Sequence, residues 1–214
     1  MAANTLRVLR PALKTVRSPV VLHRIAGDVK FWTGEWCPGV DEVRPGRCNR
    51  CGAAARCGER VVIQGHGVVM RQRLGPGACG GAPEAVLQAV RRYRCCACGH
   101  ILRVTHRALL PYKHYGAGPM AEALGRWGVH REPAARVRKA LSPWRPGAAS
   151  TGWRSLARWA RDAAAGRVWP SLSTSLGAPV RELADRAARV LASLASGVEG
   201  GLLVQLWEAA VLAR

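Results

Sequence analysis

The sequence is short of acid. Its Asp and Glu total 13 against 33 Lys and Arg, a formal net charge of +20 in 214 residues, and no acidic residue precedes Asp28. A GC-rich gene inflates Arg, Ala, Gly and Pro but does not deplete Asp and Glu, so base composition explains the imbalance poorly. A chain this basic is expected to meet a polyanion, most often nucleic acid; the plain alternative is a merely soluble basic protein. Long apolar runs are also missing. None approaches the roughly 18 residues of a membrane-spanning helix. Residues 1–27 lack the continuous apolar core of a secretory signal, although their arginines give them some likeness to a transit peptide. There is no internal repeat and no long low-complexity segment. A cytoplasmic, nucleoid-associated protein is therefore expected, with its eight cysteines in a reducing compartment. Paired cysteine spacings there point to metal or redox chemistry before disulfides.

Two of those spacings match. Cys48-Asn-Arg-Cys51-Gly52 and Cys95-Cys96-Ala-Cys98-Gly99 are both C-x-x-C-G. A metal knuckle bends its backbone so that amides point at thiolate sulfurs, and glycine after the second cysteine tolerates the bend. Two such pairs supply four sulfurs, enough for a closed tetrahedral zinc site of structural character. The 43 residues between them hold strand-like segments, as in a zinc ribbon with an extended hairpin. In this register Cys96 is a bystander; the competing pair, Cys96 with Cys98, matches Cys48 and Cys51 less well. Cys37, Cys57 and Cys79 have no partner of matching spacing and read as small apolar residues, with Cys57 near enough to the first knuckle for ligand exchange. His66, His100 and His106 read as exposed or hydrogen-bonded histidines, because four cysteines already fill the site. Two enzyme classes drop out. A zinc deaminase needs P-C-x-x-C, and no proline precedes either knuckle. A thioredoxin-like pair opens a helix in a βαβ setting, and neither pair does so.

Around the cysteines the pattern is β-rich. PVVLHRIAGDVKFWTGEW predicts one or two short strands, RVVIQGHGVVMRQRL a strand with a sharp bend or a hairpin at Gly65-His66-Gly67, and VLQAVRRYRC a strand into the second knuckle. Arg91, Arg92, Arg94, Arg103 and Arg107 gather there as a basic surface for phosphates. Near Pro111 the period becomes helical. Met120, Leu124 and Trp127 share a face, as do Ala134, Val137 and Leu141. A third helix, STGWRSLARWARDAAAG, has Ser150 or Thr151 as N-cap and stops at Gly166. On a wheel, Trp153, Leu156, Ala157, Ala160 and Ala164 form its packed face, with Arg154, Arg158 and Arg161 on one flank. That layout suits a recognition helix reaching guanine edges or phosphates; an ordinary solvated basic face is the plain alternative. Trp144, Trp153, Trp159 and Trp169 read as packing residues. From Ala178, Val180, Leu183, Ala187, Val190, Leu191 and Leu194 line an amphipathic helix, with Glu182–Arg186 and Asp185–Arg189 in favourable i,i+4 order, and LLVQLWEAAVLA is a last helix.

The resulting expectation is an α+β chain: an N-terminal arm (1–43), a small β-rich zinc ribbon (44–112), an all-α helix-turn-helix bundle (113–170) and a C-terminal helical hairpin (171–214). In order, RPGRCNRCG, VVIQGHGVVMRQR, RRYRCCACGHILRV, RALLPYKHYGAGPMAEALGRWG and GWRSLARWARDAAAGRVWP resemble the zinc-ribbon plus helix-turn-helix region at the front of bacterial insertion-sequence transposases. They resemble still more closely short transposase-related bacterial proteins of unknown function. The resemblance covers about residues 28–170. It implies Zn2+ on Cys48, Cys51, Cys95 and Cys98, and double-stranded DNA contact from the helix around Arg154 and Arg158. A transposase of that type continues into an RNase-H-like domain with three metal-binding carboxylates. Only 44 residues follow Pro170 here, with acids placed for salt bridges, so no catalysis is carried over and the chain is not expected to be an enzyme. The tail helices are expected to allow a homodimer. The competing expectations are an RNA-binding or ribosome-associated zinc protein and a helical protein-interaction adaptor.

Overall fold

The computed structural model describes residues 22–25, 37–144, 153–172 and 177–213. The chain is α+β, with the strands in the first half and the helices in the second. Strands β1 (Leu22–Ile25), β4 (Ile63–Leu74), β5 (Ala85–Cys95) and β6 (Ile101–His106) form one sheet in the order β1-β6-β5-β4, and β2 (Arg56–Cys57) pairs with β3 (Arg60–Val61) in a second. Neighbours are antiparallel except β1, which runs parallel to β6. Of the strands expected in the arm, only β1 falls on described residues.

The Gly65-His66-Gly67 segment is not a hairpin. β4 runs through it with a bulge: Gly65 pairs with Tyr93 and Val68 with Arg91, so His66 and Gly67 together oppose Arg92. Gly67 takes the left-handed conformation (φ +83°) that such a bulge uses. The bulge lets β4 continue to Leu74, where the turn into β5 is held by Arg73. Its guanidinium donates to the carbonyls of Gly75 and Pro76 and pairs with Glu84 at 2.6 Å.

The helices are α1 (Ala117–Leu124), extended by a π-helical turn over Gly125–Val129, then α2 (Ala134–Leu141), α3 (Arg154–Ala164), α4 (Val180–Ser193) and α5 (Leu202–Leu212). α1 is buried on every side. At Gly128 a side chain has no room, because a Cβ there would lie 2.4 Å from the backbone nitrogen of Asp185 in α4. One buried carboxylate is part of this packing. Glu122, 1% exposed, accepts hydrogen bonds from Arg126 Nε at 2.7 Å and from the indole N–H of Trp207 in α5 at 2.6 Å.

Several expectations about the helices change. α3 begins at Arg154 with Trp153 at its N-cap; the expected caps Ser150 and Thr151 lie outside the described residues, and Gly166 ends the helix in the left-handed region (φ +65°). Its buried residues are Leu156, Trp159, Ala160, Asp162, Ala163 and Ala164. That rotates the packed face by about 60° from the expected one, at about 100° per residue, because Trp159 enters the core more completely than Trp153. Trp169 is buried with it, whereas Trp144 is 53% exposed. α2 and α3 each pack on α1, and the larger partner of α3 is α4. In α4, Leu183, Ala187 and Leu191 are buried as expected, but Val190 and Leu194 are exposed. The two ion pairs are present at 2.5 Å and 3.0 Å. Leu183 and Leu191 of α4, and Leu206, Ala209 and Ala210 of α5, belong to the same core as Met120, Trp159 and Trp169. The expected boundary at 170 therefore runs through packed side chains. Among the described residues no helix is long and apolar enough to cross a membrane.

Candidate metal centre and basic surfaces

The two knuckles have the same local architecture. In the first, Gly52 N–H donates to the Cys48 carbonyl at 2.8 Å and Cys48 N–H to Ala53 at 2.8 Å; in the second, Gly99 N–H donates to Cys95 at 2.7 Å and Cys95 N–H to His100 at 2.9 Å. Both glycines sit at positive φ, +74° and +71°, in the region that penalises a Cβ. The first knuckle precedes the β2–β3 pair. The second is the turn from β5 to β6. The antiparallel ladder that pairs Ile63 with Cys95 helps bring knuckles 43 residues apart together.

The sulfurs converge. Cys48 Sγ lies 3.8 Å from Cys98 Sγ, and Cys51 Sγ lies 3.7 Å from Cys95 Sγ. All four ligand atoms are within 4.8 Å of one another. A tetrahedral centre with metal–sulfur bonds of about 2.3 Å sets sulfur–sulfur edges of about 3.8 Å, so the set fits a tetrahedral thiophilic cation. Electrostatics point the same way. Burial opposes ionisation of Cys48, but the amides of Cys51 and Arg50 and the neighbouring thiols overcome it and bring its pKa to about 7. For Cys98 the His100 amide favours the thiolate, yet burial and the three sulfurs around it push it up to about 12. Four thiolates this close repel unless a cation sits among them.

Cys96 lies outside the cluster, exposed beside Cys57 in a cleft lined also by Arg56 and Arg60. Cys37 and Cys79 are half-buried thiols raised by burial. His106 is buried, its Nδ1 accepting from the Ala108 amide at 3.1 Å.

The eight arginines singled out from the sequence do not form one surface. Arg92 on β5 stands directly opposite Arg103 on β6, and Arg94 follows on the same sheet face. Arg91 pairs with Val104 and so, by strand alternation, points to the other face. There it acts on the Cys37 thiol. Arg107 is half-buried in the turn after β6. Arg154, Arg158 and Arg161 are all exposed on α3. With the packed face rotated toward Trp159, they lie not on a flank but squarely opposite it, and no ion pair ties them to an acid among the described residues. Sequence reasoning missed Arg71, Tyr112 and Lys113. These line a cleft of about 470 Å³ over the Arg103 face of the sheet, assembled by the loop that follows β6. Compared with known proteins, the chain matches no family model, no curated protein and no solved structure.

Proposed function

We propose that the chain is a zinc-stabilised DNA-binding protein, related to the front regions of insertion-sequence transposases and lacking their catalytic domain. The metal is zinc: four thiolates in a closed tetrahedron select it or iron, and the C-x-x-C-G knuckles are those of structural zinc sites. Its contribution is to folding. Cys48, Cys51, Cys95 and Cys98 hold it, and the knuckle glycines orient the amides that stabilise the thiolates. The face of α3 is the duplex-binding element. The observation that carries this reading is the placement of Arg154, Arg158 and Arg161 opposite the helix's buried side, without acidic partners among the described residues, in a chain of net charge +20. Helix α3 then enters the major groove while Arg92, Arg94 and Arg103 on the sheet offer further phosphate contacts.

The test is the salt dependence of duplex affinity. Log K falls by about 0.9 per phosphate contact per log unit of salt. Replacing Arg154, Arg158 and Arg161 with Gln lowers that slope by about one for each phosphate no longer neutralised, with the melting temperature unchanged. A flat salt dependence defeats the proposal. Stronger competition by structured RNA than by duplex DNA transfers it to RNA. Metal analysis of the purified protein checks the zinc.

A further inference from the structure

The cleft over the sheet has features that the α3 reading leaves unused. Its floor is apolar, formed by Val69 of β4 and Val90 of β5, and its walls carry Arg71, Arg103, Tyr112 and Lys113 with no acid among the lining residues. Lys113 is already committed: its Nζ lies 2.5 Å from Asp162 Oδ2 on α3. Arg71 is held in place by donating to the carbonyls of Leu110, at 2.8 Å, and Lys113. Arg103 faces like charge on two sides, with Arg92 its direct cross-strand partner and Arg71 across the cleft. Like charges placed opposite one another on a sheet repel, and an anion between them relieves the repulsion. Tyr112 stands at the rim, 74% exposed, with its backbone at φ +57°. A bulky residue is seldom found in that conformation, and such outliers cluster at ligand sites.

An inorganic anion uses the arginines but has no use for an apolar floor or an exposed ring. A nucleotide uses all three, with the base stacked on an aromatic and the phosphate on a guanidinium. The cleft is in the range that takes small ligands, roughly 300–1,000 Å³, which suits a single base but not a stacked duplex. Arg92 and Arg94 continue the cationic row from Arg103 along the same sheet face, giving the next phosphates of a strand somewhere to go. We propose that this cleft binds one unpaired nucleotide of a single-stranded nucleic acid, its base against Tyr112 and its phosphate at Arg103. The site is separate from the α3 face and stands or falls independently of it.

Fluorescence anisotropy on the full chain tests it, with a labelled ten-residue oligothymidylate, a blunt duplex of the same length, and thymidine monophosphate as competitor. The oligothymidylate binds. Tyr112→Ala weakens it by roughly 5- to 150-fold, the cost of losing one stacked base, and Tyr112→Phe restores it. Arg103→Gln weakens it too and lowers the salt slope by about 0.7. Duplex affinity stays within roughly twofold in both Tyr112 variants, as for a surface change away from the duplex contacts. The proposal is overturned if Tyr112→Ala leaves oligothymidylate affinity within that margin, or weakens single strand and duplex alike. It is also overturned if the mononucleotide competes as tightly as the oligomer, which makes the cleft a free-nucleotide site. Circular dichroism of Tyr112→Ala checks that the fold is kept, and Arg103→Gln gives an independent arm.

Discussion

The core around Tyr93 and the core around Trp159 share one chain but are held together differently. The first gathers Val43, Ile63, Tyr93, Leu102 and Val104 with two of the clustered cysteines, Cys48 and Cys95. So few apolar side chains rarely stabilise a unit alone, and small units of this kind need a staple. The second draws on every helix and on Leu74, Leu110 and Tyr115. Tyr115, Trp153 and Trp159 meet edge to face there, with centroids 4.9 to 5.5 Å apart, an arrangement that adds to ordinary apolar burial. One core leans on its cysteine cluster, the other on its packing.

The largest expected effect breaks the first core and spares the second. Chelation, or Cys95→Ser or Cys98→Ser, removes a metal contribution on the order of 10 kcal/mol and unfolds the knuckle end of the sheet. Cys96→Ser keeps the metal. Metal stoichiometry and circular dichroism followed side by side check this, and loss of the helical signal together with the metal shows the two cores to be one unit. The reciprocal change is smaller. Trp159→Ala, at a side chain 1% exposed, costs about 3–5 kcal/mol in urea unfolding followed at the helices, with metal stoichiometry unchanged. Smaller again is the effect at Asp162, which ties α3 to the Tyr112 loop through Lys113 and to Arg167 at 2.6 Å. Burial raises its pKa, but hydrogen bonds and charge from Lys113 and Arg167 outweigh it and hold the carboxyl below its ordinary value. A carboxyl depressed in the folded state stabilises above its unfolded pKa of about 3.9 and loses that contribution as pH falls through the folded value. Asp162→Asn therefore costs about 1–3 kcal/mol near neutrality, and its difference from the unaltered chain narrows below about pH 4. A cost that persists unchanged to about pH 2 means the ion pairs are not its source.

The cysteine cluster is the most legible part of the sequence, because a knuckle is a local object: spacing and one glycine determine it, and the structure brings together the four sulfurs that the spacing singles out. The helices are legible as elements for the same reason. What is not legible depends on distant partners. Arg91 and Arg92 are adjacent on a strand and cannot share a face, but which one faces the cleft depends on the pairing of Arg92 with Arg103. The orientation of α3 depends on Trp159 meeting Tyr115, and the burial of Glu122 on an indole 85 residues away. Nor does any period in the tail show that α4 and α5 complete the main core, since an amphipathic helix looks the same whether its partner lies in its own chain or in another. Deleting residues 171–214 would strip Leu183, Leu191 and Leu206 from that core, so truncation there reads out stability before it reads out binding.

Strand β4 belongs to both cores: Ile63 is buried in the smaller and Leu74 in the larger. At about 3.3 Å per residue the two ends lie about 36 Å apart, with the bulge at His66 and Gly67 interrupting the ladder between them. A single strand therefore carries two levels of amide-exchange protection. The amides before the bulge exchange on a clock set by opening of the cysteine-bearing core, and those from Val68 onward on a clock set by opening of the helical bundle.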